Sequence, residues 1–151
     1  MTEFKRTIQV DHKADNLFEL VHQIERYPEF IRWIQSMSVE EISKSDDKIV
    51  RIGHAVVGFR GFTEDFSTKV TSDPVNRTID VELVKGPLKT LANRWEFKPR
   101  DENTSDVDMY VDFEFRNIFL RAFAAANFEL AVNRIMSAFI AEADRRYSVQ
   151  A

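Results

Sequence analysis

The residue types that most often carry chemistry are sparse in this chain. His12, His22 and His54 are the only imidazoles, no two of them fall within one helical turn, and there is no cysteine. No H-E-x-x-H run or comparable ligand spacing occurs, so a zinc centre has no basis here. Without thiols there is no Cys nucleophile, disulfide or thiolate metal site, which fits a reducing compartment. The four glycines, Gly53, Gly58, Gly61 and Gly86, build no phosphate-cradling loop. Carboxylates are plentiful, but most alternate with apolar residues on strands, and the run DENTSDVD (101–108) reads as a turn and a solvated edge. Three polar residues share parity with apolar neighbours and so could point inward: Asn93 with Trp95 and Phe97, Glu64 with Phe62 and Phe66, and His54 with Val50, Ile52 and Val56. His54, between Gly53 and Gly58, suits an edge or bulge facing water, and Glu64 suits a solvated carboxylate. Asn93 is the best of the three. No acid, base and nucleophile converge, and the expectation is a binding protein and not an enzyme.

What the chain does supply is apolar surface. Thirteen Phe residues occur in 151, and a hydrophobic share of 44% against 30% charged marks a soluble globular chain of one domain's size, 1–151. So much Phe suits either a full core or a lined cavity. A net charge of -4 with a pI near 5.4 argues against a general nucleic-acid binder, and no DNA partner is expected. No run approaches the ~18 apolar residues of a membrane span. MTEFKRTIQVDHKAD has no signal-peptide core. A cytoplasmic protein is expected.

The elements that would position these residues follow from periodicity. Phe4–Asp11 reads as a strand. ADNLFELVHQIERY places Leu17, Leu20, Val21 and Ile24 at helical spacing, with Asp15 near the start. Pro28 ends that helix and can open a second short one, PEFIRWI. Strands follow at VEEIS, KIVRIGHAVVGF, FTEDFSTKV, TIDVELV, LANRWEF and DVDMYVDFEF, joined by short turns that argue for an antiparallel meander. A long helix from about Phe119 to Tyr147 closes the chain. Its stripe of Phe128, Val132, Ile135, Met136, Phe139, Ala143 and Tyr147 can pack on the apolar face of the sheet. The class is α+β.

The start of that helix is uneven. Ile118, Phe119, Leu120 and Phe123 crowd large side chains into little more than a turn, and Ala124, Ala125 and Ala126 follow. The alanines either leave room for a ligand or allow close packing of helix on sheet.

YPEF with Trp33, GFRGFTEDFSTKV, GPLKTLANRWEF, VDFEFRN and NFELAVNRIMSAFIAEADRRY occur in order across nearly the whole chain. This ordered set resembles the START-like, helix-grip superfamily, and within it the coenzyme Q-binding family, some of whose bacterial members are named ribosome-association toxins. Asn93 stands where that family often has glycine, and Asp15-Asn16-Leu17-Phe18 is a looser form of its helix opening. The resemblance implies a curved antiparallel sheet wrapped around the long C-terminal helix, with two short helices after the first strand. It also implies a lipid-sized cavity holding ubiquinone or a similar isoprenoid lipid, with no other cofactor, and a role in respiration and quinone biosynthesis. The cavity would be lined by Phe66, Val81, Leu83, Asn93, Trp95, Phe97, Phe113, Phe128, Met136 and Phe139. Its mouth would be formed by Tyr27, Phe30, Trp33, Pro87, Leu88, Phe119 and Phe123, with Leu88 exposed in its Gly-Pro turn. Such a patch would give peripheral contact with the inner face of the membrane, with Lys85, Lys89 and Arg121 toward anionic headgroups. The alternative is that the mouth aromatics form a satellite core under the loops. Two other functions stay open: a ribosome-associating toxin that blocks subunit association, which a basic cluster of Arg94, Lys98, Arg100 and Arg116 would favour, and a polyketide cyclase-like enzyme.

Overall fold

The computed structural model describes residues 2–59 and 62–148, with backbone alone at positions 2, 59, 62, 120, 123–125 and 128. In chain order the elements are β1 (Thr2–Val10), α1 (Ala14–His22), a 3₁₀ helix (Ile24–Glu29), β2 (Ile34–Lys44), β3 (Ile49–Phe59), β4 (Phe62–Asp73), β5 (Thr78–Lys85), β6 (Leu88–Pro99), β7 (Ser105–Phe115) and α2 (Ile118–Tyr147). The strands form one seven-stranded antiparallel sheet in the order β1-β7-β6-β5-β4-β3-β2. Strands β2 to β7 follow as hairpins, and β1 closes the far edge by pairing with β7 from Thr2↔Phe113 to Val10↔Ser105.

Local chemistry sets the turns. Between β4 and β5 the Asp73 carboxylate accepts the amides of Val75 (3.1 Å) and Asn76 (3.0 Å) and the Asn76 side chain (2.8 Å). These bonds hold its pKa below the usual carboxylate range. Arg77 then takes a positive φ of 54°, which lets the chain reverse.

The second helix differs from the sequence expectation. It is 3₁₀, spans Ile24–Glu29 and contains Pro28 instead of starting there. The Tyr27 hydroxyl takes the Val21 carbonyl at 2.5 Å, and Pro28 has no N–H to continue an α-helical ladder. The chain from Pro28 to Ile34 turns through bonds of Phe30 and Ile31 to the Tyr27 carbonyl.

The core lies between the sheet, α1 and the C-terminal part of α2. Val132, Met136, Phe139 and Ala143 of α2 are buried with Leu17, Leu20 and Val21 of α1 and Trp95, Phe97, Val107 and Met109 of the sheet. Phe139 is its hub: the rings of Tyr27 (5.3 Å), Phe30 (5.4 Å) and Trp95 (5.3 Å) meet it edge-on. Burying one such ring stabilises the fold by roughly 1.5–3 kcal/mol, and the edge contacts add about 0.5–1.5 kcal/mol each.

Polar clamps fix the two helices. Buried Glu142 accepts from Arg145 (2.9 Å) and Arg146 (2.6 Å), and Arg146 reaches on to Gln23 and over the Phe30 ring. His12, after β1, bonds Asp144 at 2.7 Å. On the other side of α1, buried Arg51 of β3 binds His22 and Glu25, and His22 also meets Ser72 of β4 at 2.8 Å.

Candidate functional site

Burial along the concave face of the sheet changes abruptly at one rung. Trp95 pairs with Ile79 on one side and Met109 on the other, and all three are buried. Two residues along each strand the same face carries Asn93, Val81 and Val111, and all are half-buried. Beyond them Leu83, Leu91, Phe113 and Phe66 are half-buried too. The long helix shows the matching trend: its C-terminal stripe is buried, whereas Ile118, Phe119 and Leu130 are exposed. The helix therefore seals one half of the concave face and leaves the other half, toward the β7–α2 corner, partly open.

The sealed half is tightly filled. Its void, bordered by Ile8, Leu20, Trp95, Met136 and Phe139 among others, measures about 20 Å³, room for one water. Trp95, Phe97, Met136 and Phe139, expected as cavity lining, are buried and border this small void. Phe66, Val81, Leu83, Asn93 and Phe113 lie instead on the half-open surface, joined by Leu91, Val111 and Phe115. The last three were missed at the sequence level, although their parity with Asn93 and Phe113 marks them. The side chains of Phe123 and Phe128 lie outside the described residues.

Asn93 sits at the boundary. Its Oδ1 accepts the Trp95 indole N–H at 2.8 Å, and its Nδ2 donates to the Tyr110 carbonyl at 2.7 Å. The second Nδ2 hydrogen has only the Met109 sulfur at 3.6 Å, a weak acceptor. That hydrogen is therefore only weakly held. His54 and Glu64 are exposed; His54 bonds Ser67 at 2.9 Å with Glu40 nearby. Among the described residues no three His, Cys, Asp or Glu side chains gather as a metal site.

The expected mouth is only partly assembled. Trp33 is 45% and Phe119 82% exposed. Pro87 is half-buried, and Leu88 is buried at 7%, against the expectation for a turn residue. Leu88 opens β6 opposite Phe115, and Arg116 donates its amide to the Pro87 carbonyl and its side chain to the Leu88 carbonyl. The Gly-Pro turn is thereby folded under the β7–α2 corner. Gly86 is required there, since a Cβ would lie 2.7 Å from the Phe66 ring. Tyr27 and Phe30 belong to the core around Phe139, and burial pushes the Tyr27 phenol pKa up. Arg121 is spent on the Phe115 carbonyl and Glu114, so it is not free for a headgroup. The proposed basic cluster is largely neutralised: Arg94 pairs with Asp80, Lys98 with Asp108, and Arg100 with Asp106.

A seven-stranded antiparallel sheet gripping one long C-terminal helix, with two short helices after the first strand, is the helix-grip, START-like fold. The chain belongs to the family described as polyketide cyclase / dehydrase and lipid transport, which it matches over residues 10–140. It is 30% identical to the ribosome association toxin RatA of Escherichia coli over 99% of this chain and 92% of that protein. It is also 30% identical to the mitochondrial coenzyme Q-binding protein coq10 of Schizosaccharomyces pombe, over 69% of this chain and 63% of that one. The solution structure of the 18 kDa protein CC1736 from Caulobacter crescentus superposes with a TM-score of 0.80 at 32% identity, covering 99% of this chain and 100% of that one. No helix among the described residues is long and apolar enough to cross a membrane.

Proposed function

We propose that this protein binds ubiquinone, or a closely similar isoprenoid quinone, on the open half of its concave face, and carries or presents it without altering it, in support of respiration and quinone biosynthesis. The observation that carries this reading is the step from sealed to half-open burial at Asn93. It leaves a run of aromatic and aliphatic side chains with a single amide donor at its inner end. An elongated apolar molecule with one carbonyl-bearing ring fits that pattern. The likeness to a protein named for coenzyme Q binding points the same way.

Each buried CH₂ is worth roughly 0.8 kcal/mol relative to water. A quinone tail starts in a bilayer, so moving it to the protein gains about nothing from hydrophobicity. Selection then rests on packing against Leu91, Val111 and Phe113 and on the Asn93 amide. Lipids extracted from natively purified protein and identified by mass spectrometry test this. A quinone present in the wild type and depleted in Phe113→Asn supports it; protein that carries no quinone and takes none up from quinone-loaded vesicles refutes it.

A second reading, association with the ribosome, is supported by likeness to RatA over nearly the whole chain. The ion pairs that neutralise Arg94, Lys98 and Arg100 weigh against it on that face. Co-sedimentation with separated ribosomal subunits distinguishes the two readings.

A further inference from the structure

The strand order fixes what lies along the end of the sheet at the β7–α2 corner. β4 pairs with β5 only as far as Ser67↔Lys85, so residues 62–66 run on beside β3 alone. At about 3.4 Å per residue, the β3–β4 hairpin projects roughly 17 Å past the end of β5. Trp33, just before β2, stands beside this projection, because its carbonyl accepts the Gly58 amide at 2.8 Å. The rim is therefore a step. Its high half is built by β2, β3 and β4, and its low half by β5, β6, β1 and the β7–α2 corner. The high half carries Trp33 (45% exposed) with exposed Glu64, Asp65 and Arg32. The low half carries Val84 (54%), Ile118 (69%) and Phe119 (82%) with exposed Lys85, Lys89, Arg116 and Glu3. None of these seven charges is in an ion pair among the described residues. Acid is thus in surplus on the high half and base on the low half. Four of the seven large hydrophobic residues exposed among those described sit on this one rim, which marks it as a contact surface.

From this we infer that the rim is a two-fold interface between two copies of this chain. An isologous contact sets a surface against its own copy turned by half a revolution. With the axis crossing the sheet between β4 and β5, β4 of one copy faces β5 of the other. By the same turn β3 faces β6, and β2 faces the β7–α2 corner. A stepped rim suits this exchange, since the high half of each copy fills the low half of the other. Glu64 and Asp65 then meet Lys85 and Lys89, Trp33 meets Ile118 and Phe119 beside Arg116, and Arg32 comes toward Glu3. The symmetry makes each of these contacts twice. A surface of one sign, such as an anionic bilayer or a nucleic acid, would set Glu64 and Asp65 against like charge. A second copy supplies both signs in the complementary order. The pairing also covers the open ends of both concave faces, whatever those faces hold, so the inference goes beyond the quinone reading and does not depend on it.

The test is sedimentation velocity of the full chain over a concentration series. The wild type should move from 17.6 kDa toward twice that mass as concentration rises. Lys85→Glu with Lys89→Glu, and separately Glu64→Lys with Asp65→Lys, should each weaken self-association by at least about tenfold, because like charges then meet across the axis. Mixed in equal amounts, these two variants should associate again, since acid on one copy then faces base on the other at both ends of the contact. Ile118→Ser with Phe119→Ser should stay monomeric and keep a melting temperature close to that of the dilute wild type. Ile42→Ser with Val75→Ser, at the opposite strand ends, should associate as the wild type does. A wild type that is monomeric at every concentration overturns the inference, and if it sediments with anionic vesicles or ribosomal subunits the rim belongs to that partner. Association that survives the rim variants overturns it too, as does a mixture of the two folded charge variants that stays monomeric. Should a charge variant fail to fold by circular dichroism, the Ile118 and Phe119 variant decides alone.

Discussion

The indole N–H of Trp95 donates to the side-chain oxygen of Asn93, two residues before it on β6, at 2.8 Å. The same amide bonds the Tyr110 carbonyl of β7 at 2.7 Å, so Asn93 satisfies a buried indole and ties two strands together. Asn93→Leu should leave that N–H unpaired and cost about 1–3 kcal/mol in thermal or urea unfolding. In a Trp95→Phe background the same substitution should cost clearly less, since no indole then needs a partner. Equal costs in both backgrounds would show that the pair is not coupled.

Trp95 itself is 6% exposed, stacked on Phe97 and edge-on to Phe139. Trp95→Ala should destabilise by roughly 3–5 kcal/mol, as a core deletion beside a void too small to collapse into. Urea unfolding measures it; a loss below about 1 kcal/mol would mean that a ligand-sized space already lies beside the ring.

Leu88 and Phe119 should separate cleanly by stability. Leu88→Ala removes a buried side chain and should cost about 2–5 kcal/mol. Phe119→Ala removes an 82% exposed ring and should stay within about 0.5 kcal/mol. Paired urea curves decide it, and a reversed order would place the rim elsewhere.

Acid should loosen the C-terminal clamp. The Arg145 and Arg146 guanidiniums beside Glu142 lower its pKa from 4.5 to about 2. A folded value below the unfolded one means stability present above about pH 4.5 and lost as pH falls toward 2. Glu142→Gln should flatten that limb of the stability–pH curve and lower stability at neutral pH by about 1–3 kcal/mol.

His22 should act at milder pH. Burial, then the Arg51 charge, lowers its pKa below 6.5, and its Nδ1 accepts from Arg51 in the neutral form. The folded state therefore favours the unprotonated ring, and stability present above pH 6.5 falls as pH drops below it. An NMR titration of His22 with a midpoint above 6.5 would contradict this.

Much of the architecture was readable from one dimension. Alternation from Val107 to Phe115 marks β7, the 3.6-residue stripe from Val132 to Ala143 marks α2, and short polar turns mark the meander. These signals are local: a strand's parity or a helix's stripe is written within a few turns of chain. The candidate site was readable only as a set of inward-facing positions, Asn93 among them, because parity says which face a side chain takes and not what covers it.

What the tertiary structure alone decided were relations between residues far apart in the chain. Tyr27 and Phe30 pack on the core because Phe139 meets both rings edge-on, and Leu88 is buried at a turn whose carbonyl Arg116 binds. The Asn93 amide reaches the Tyr110 carbonyl because β6 and β7 align in one register; the same pairing sets acids beside Lys98 and Arg100, and the β5–β6 pairing sets Asp80 beside Arg94. The sequence by itself determined the elements, their order and the face each would bury. How far α2 covers the sheet, and so which half of the apolar face stays open, depends on the angle at which one helix meets seven strands. That angle is the outcome of packing summed over the whole core, and no single segment encodes it.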